Sequence, residues 1–175
     1  MYKLESYNNG GALVVNSDDS DEIYRSTFNA STAQEAELIV VGLNQGVLIK
    51  RLAEHRYAVE IGGIDLPNGL RMLTDRDNRS TFKESYQDMK NGLIPDTDWK
   101  AVNSWKTVEL AEMEIMAKAL AAHVRGCYRG ECTVATAINT ATTILGTEVI
   151  DVDALFSVAY DAAYAEVMDT GIEAE

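Results

Sequence analysis

The chain has 175 residues, enough for one compact domain or two small ones with a genuine core. Apolar content of 46% and charged content of 25% are ordinary globular values, which exclude wholesale disorder. The net charge is −13, and the last 46 residues hold nine acids with neither lysine nor arginine; a surface of that sign repels phosphate backbones and excludes nucleic acid as an expected partner.

The longest apolar run, Leu38 to Leu43, is far too short for a membrane span. Residues 1–11 carry no apolar signal-peptide core, so the expectation is a soluble chain made in a cytoplasm, without membrane insertion. Two cysteines five positions apart do not make a disulfide framework.

Residues 2–30 read as a small β element. Tyr2 to Glu5 and Ala12 to Val15 flank Asn8-Asn9-Gly10-Gly11, a turn rich in residues that accept positive φ. Asn16 to Asp21 reads as a polar loop. Residues 32–49 carry opposing signals: Thr32 with Glu35 makes a helix capping box, whereas β-branched residues and Gly42 and Gly46 weaken a helix through Leu38 to Val41. The balance predicts a short strand over 37–42, then a helix from about Gln45 to Arg56. Ile61 to Leu73 predicts a hairpin around Pro67-Asn68-Gly69. Thr74 or Asp75 caps a helix reaching about Lys90, ended by Asn91-Gly92. Trp99 to Thr107 predicts a second hairpin turning at Asn103-Ser104, with Trp99 and Trp105 on one face.

Thr107 then caps a helix with the stripe Met113, Met116, Leu120 and Val124. Gly130 allows a break. A second helix buries Val134, Ala137, Ile138, Ala141 and Leu145 and stops at Gly146. Asp151 or Asp153 caps a third, with Val152, Leu155, Phe156, Ala159, Tyr160 and Ala163 along its stripe. The expected fold class is α+β: a small N-terminal β region, central β-hairpins and a helix, and a C-terminal antiparallel helical bundle.

Chemistry-bearing groups are sparse. His123 and Cys127 lie four apart on one helix face, with Cys132 beyond, but zinc needs about four ligands and this cluster offers three at most. A Cys–His nucleophile pair fits the spacing, yet nothing nearby resembles an oxyanion hole. Asp75-Arg-Asp77-Asn78 begins like a calcium loop, but Ser80 stands where glycine is needed and Tyr86 where a bidentate glutamate is needed. Gly62-Gly63 is too short for a phosphate cradle. No catalytic, metal or cofactor residue is assigned, and the expectation is a protein that is not an enzyme. Tyr2, Tyr7, Tyr24 and Phe28 form an aromatic group suited to a protein interface; completion of the domain's own sheet is the competing use.

One stretch is more specific. It contains Tyr57, Glu60, Gly62 and Gly63 as Tyr-x-x-Glu-x-Gly-Gly, then Thr74-Asp75-Arg76, Trp99-Lys100, and a helix closing in His123-Val124-x-x-Cys127-Tyr128. Over about residues 51–132 this resembles a domain of unknown function common in tailed bacteriophages and prophages, usually encoded among tail-fibre and baseplate genes. The resemblance implies a structural tail protein in the virion, part of or attached to the fibre or baseplate, contacting other tail proteins and forming a homo-oligomer. It leaves open an assembly chaperone absent from the mature particle, and more distantly a glycan hydrolase. Residues 1–50 are then an N-terminal β-containing adaptor, and 51–175 an α+β domain ending in a three-helix bundle.

Overall fold

The computed structural model describes residues 1–16 and 24–170, and in it the chain is α+β. It divides into two compact units: Met1–Glu54 with Cys132–Leu155, and His55–Glu131 with Phe156–Glu175. The expected boundary at residue 50 falls near the end of the first N-terminal segment, but residues 132–155, expected in the 51–175 domain, group with that segment.

In the first unit, strands β1 (Tyr2–Asn8), β2 (Gly11–Asn16) and β3 (Tyr24–Asn29) form an antiparallel sheet in the order β1-β2-β3. Asn9 (φ 47°) and Gly10 (φ 80°) make the two-residue turn, since both positions need positive φ. Most of the expected polar loop, Asn16 to Asp21, lies outside the described residues; Asn16 itself closes β2. Helix α1 (Ala33–Ile61) follows. Thr32 caps it as the capping box requires, its Oγ1 accepting from Glu35 N–H at 3.1 Å, while the Glu35 carboxylate reaches one residue further back and accepts from Ser31 N–H at 2.6 Å. Ala36 packs with Ala12 and Ala30, and Leu4, Tyr7 and Ile39 close around them.

The strand expected at 37–42 is therefore part of a helix. Val40, Val41, Leu48 and Leu52 are buried at helical spacing, and that packing outweighs two glycines. Gly42 and Gly46 are exposed, with no neighbour within 4 Å of a Cβ at either place. Gly46→Ala is accordingly expected to stabilise the protein by about 0.5–1 kcal/mol, read as a higher urea midpoint at unchanged m-value.

Asn44 is buried and bonded on both ends. Its Oδ1 accepts from Tyr2 N–H at 2.7 Å, and its Nδ2 donates to Tyr2 O and Thr147 Oγ1. Gln45 Nε2 donates to the Ile138 and Ala141 carbonyls, so one side chain serves the C-terminal end of helix α3 (Leu110–Thr140).

The second unit is built on two short antiparallel hairpins and α2 (Arg76–Lys90). One hairpin pairs β4 (Ile64–Asp65) with β5 (Arg71–Met72); the other pairs β6 (Asp96–Lys100) with β7 (Trp105–Glu109). Asp75 caps α2, accepting from Asp77 and Asn78 N–H at 3.1 Å; those bonds hold its carboxyl below the usual range and explain the acids that begin like a calcium loop. The core gathers Ile64, Leu70, Met72, Phe82, Trp99, Val108, Met113 and Met116. Trp99 meets Phe82 edge-on at 5.4 Å.

Trp105 does not share its face. It pairs across the ladder with Lys100, one residue from Trp99, so the pleat sends it outward, 67% exposed. Thr107 is likewise a β7 residue, its hydroxyl donating to Asp98 at 2.7 Å, and the helix begins at Leu110.

Two of the three expected C-terminal helices are one: α3 runs on past Gly130 through Val134, Ala137 and Ile138 to Thr140, the short α4 (Ile144–Glu148) follows it, and α5 (Val152–Asp169) is the expected third. Gly130 does not break α3. It is buried because Phe156 lies over it: a Cβ there would sit 2.8 Å from the ring, and one at Gly126 would sit 2.7 Å from Tyr160. Within this unit α3 and α5 run antiparallel, as contacts from Lys118 to Met168, Arg125 to Ala163 and Gly130 to Phe156 require. Gly146 lies inside α4, and Leu145 and Leu155 are exposed rather than buried. Leu120 is half-buried, while Ile138 and Phe156 are fully buried. No helix among the described residues is long and apolar enough to cross a membrane.

Candidate functional site

The last turn of a helix leaves carbonyls without intrahelical donors, and at the end of α1 side chains satisfy them. The Glu60 carbonyl accepts from the Thr74 hydroxyl at 2.6 Å and from His123 Nε2 at 3.1 Å. Thr74 Oγ1 in turn accepts from Gly63 N–H at 3.0 Å, and the Gly62 carbonyl accepts from Arg71. Gly63 has φ +83°, and a Cβ there would lie 2.8 Å from Met72 O, so glycine is required. The Tyr-x-x-Glu-x-Gly-Gly segment and Thr74 thus form one clasp.

A carbonyl only accepts, so His123 Nε2 carries the proton. Nδ1 is then the acceptor for the Tyr160 hydroxyl, 2.7 Å away. Both ring nitrogens are engaged. The Glu60 carboxylate, itself buried, lies between Arg79 at 2.9 Å and Arg56, which also meets Glu131 at 3.4 Å. Burial works against the Arg56 charge, but the hydrogen bond to Glu60 and the field of Glu131 outweigh it and raise its pKa.

Cys127 Sγ lies 3.9 Å from His123 Nε2, so the expected pairing is realised as a contact. Its chemistry points away from nucleophilic use. Burial, reinforced by the Glu60 carboxylate, pushes the thiol up to about 11, and burial lowers the His123 pKa. Both groups are neutral at pH 7, with no thiolate–imidazolium pair. Cys132 is exposed, and five helical positions turn it well away from Cys127. Among the described residues no group of three or more His, Cys, Asp and Glu could hold a metal. In the folded protein an aromatic disulfide reagent at pH 8 should modify Cys132 rapidly, and Cys127 only on unfolding; two fast thiols per chain would contradict the burial.

His123 also sets a pH dependence. Its folded pKa lies below the ordinary 6.5, so between the two values the unfolded chain binds more protons. Stability should therefore be full above about pH 7 and decline as pH falls through 6.5. Urea midpoints at pH 7.5 and 5.5 measure this, and His123→Gln should flatten that part of the profile.

The other singled-out residues have separate places. Arg76 is exposed on the first turn of α2, Trp99 is core, and Lys100 lies over the Trp105 ring at 5.5 Å. Tyr57 and Tyr128 are exposed, Tyr128 beneath the Arg56 guanidinium at 5.5 Å. Of the aromatic group, Tyr7 is half-buried and its hydroxyl donates to Ala30 O at 3.2 Å. Phe28 is half-buried opposite Ala12, Tyr2 is half-buried beside Asn44, and Tyr24 opens β3 opposite Asn16. These four belong to the first unit and the clasp to the second. Arg56, Arg79 and Tyr160, which complete it, carry no motif of their own. The one legible signal was spacing: Gly126 and Gly130, four apart on α3, match Phe156 and Tyr160, four apart on α5.

A family model described as a domain of unknown function (DUF4376) matches residues 44–156, well over half of the chain. The chain belongs to this family. The matched span begins at Asn44 and takes in Glu60, Thr74, His123 and Cys127; Tyr160 and the β1-β2-β3 sheet lie outside it. No characterised protein and no solved structure matches at a significant level.

Proposed function

We propose that the protein is a structural component of a bacteriophage tail, part of or attached to the tail fibre or baseplate, acting by protein–protein contact and not by catalysis. The observation that carries the non-catalytic half is the clasp. Glu60, Thr74 and His123 are consumed in closing the end of α1, and the neighbouring thiol is held neutral. The tail half rests on the resemblance of those same segments to a domain encoded among tail genes. The N-terminal sheet offers a means of attachment. Its edge strands are β1, which carries an irregularity between Leu4 and Ser6, and the regularly paired β3. A regular edge accepts a further strand more readily than a bulged one, so β3, with Tyr24 and Phe28, is the adaptor edge for a neighbouring tail protein.

Mass spectrometry of purified virions from the phage encoding the chain tests the reading. Its peptides should be present in fixed ratio to tail proteins. Their absence from intact particles, with the protein bound to fibre subunits in infected cells, would replace the component with an assembly chaperone. Absence from both would end the tail reading.

A further inference from the structure

Helix α2 is charge-segregated. At 100° per residue, Arg76, Arg79, Lys83 and Lys90 fall within roughly 80° of one another, while Asp77, Glu84 and Asp88 lie on the opposite side. The basic side borders an open apolar groove of about 380 Å³, formed by Arg79, Lys83 and Tyr86 on α2 and by Ala117, Leu120 and Val124 on α3. Its two walls advance by three and four residues, the spacing of a groove that receives a helix. Lys83 has no ion pair among the described residues, and Lys90 lies over the Tyr86 ring at 5.5 Å.

The same unit carries a surface of complementary character. On α5, Val158 is 71% exposed and lies beside exposed Ala162 and Ala165; Asp161 and Asp169 flank them, and the helix has no basic residue. An apolar ridge flanked by Asp161 and Asp169, beside a Glu166 already paired with Arg125, matches an apolar groove with cations along its rim.

We infer that the α2–α3 groove receives the outer face of α5 from a second copy of this chain. Each contact joins unlike surfaces: groove on one copy, ridge on the next. Two copies that exchange both contacts close into a twofold, isologous dimer; an unreciprocated contact is head-to-tail and extends. This inference does not depend on the tail reading.

Contact between unlike surfaces permits a sharp test with the full chain. Wild-type protein in sedimentation velocity should show species heavier than 19.2 kDa as concentration rises through the micromolar range. Val158→Asp spoils the ridge, and Ala121→Glu spoils the exposed groove wall; each alone should weaken association by at least about tenfold. Mixed together they should form a heterodimer, because one intact groove then meets one intact ridge. Thermal melts verify folding, and Lys83→Glu replaces Ala121→Glu should the latter unfold. The inference is overturned by a wild-type chain that stays at monomer mass, by either variant associating like wild type, or by a mixture that stays monomeric.

Discussion

Phe156→Ala should destabilise the protein by about 3–5 kcal/mol in urea denaturation. The ring is 1% exposed, meets His55 edge-on at 4.8 Å, and covers Gly130 of α3. Removing it loses the transfer energy of a large apolar group and leaves a cavity against a glycine, which has no side chain to fill it. Gly130→Ala alone should also destabilise, by about 1–3 kcal/mol, because its methyl would lie 2.8 Å from the ring. In the Phe156→Ala background the same methyl has room, so Gly130→Ala should there be neutral or stabilising. That reversal of sign is the stringent part of the expectation, since independent sites would add. A Phe156→Ala cost under about 1 kcal/mol would remove the residue from the core.

The contact also shows where the sequence was legible. Local signals held: the Thr32–Glu35 capping box, the Asp75 cap, the Asn9-Gly10 turn and the Asn91-Gly92 stop all involve residues within a few positions, and each is found where its chemistry placed it. Glycines and β-branched runs misled because their meaning is tertiary. Gly130 reads as a helix break in isolation, yet it marks a close approach by a ring 26 residues later. Residues 37–42 read as a short strand, yet Val40 and Val41 are buried in a helix whose inward face is completed by Leu48 and Leu52. Periodicity over six residues does not separate these cases.

The candidate site divides in the same way. His123 and Cys127 were visible as an i, i+4 pair. The partners that fix their chemistry, the Glu60 carbonyl and Tyr160, lie 63 and 37 residues from His123. No local pattern encodes such pairings: the sequence argued against ligand and nucleophile only through the missing fourth ligand and oxyanion hole, and what the pair does instead follows from its burial and hydrogen-bond partners. The α2–α3 groove was hidden for a related reason. The charge segregation of α2 is present in its sequence, but that Ala117, Leu120 and Val124 face it follows only from packing.

The other large effect is expected at Glu60. Its carboxylate is 7% exposed and lies between two guanidinium groups, those of Arg56 and Arg79, which are 20% and 26% exposed. Glu60→Gln keeps the shape and removes the charge, leaving two cations facing each other in a half-dry place with Glu131 as the remaining counter-ion to Arg56. Breaking one member of a buried ionic group costs about 3–5 kcal/mol; partial solvent access to both arginines relieves some of this, so about 2–4 kcal/mol is expected in urea denaturation. Adding Arg79→Gln should recover a substantial part, because the surplus charge is then gone, and the coupling between the two substitutions should be favourable. The clasp itself should survive, since Thr74 and His123 bond the Glu60 backbone carbonyl and not its carboxylate. Glu60→Gln should therefore still lose stability as pH falls through the His123 window, whereas His123→Gln should not. If Glu60→Gln instead abolishes that pH dependence, the carboxylate and not the carbonyl orients the imidazole. If it costs less than about 0.5 kcal/mol, the two arginines find other counter-charges, and the ionic cluster is a consequence of the fold and not one of its supports.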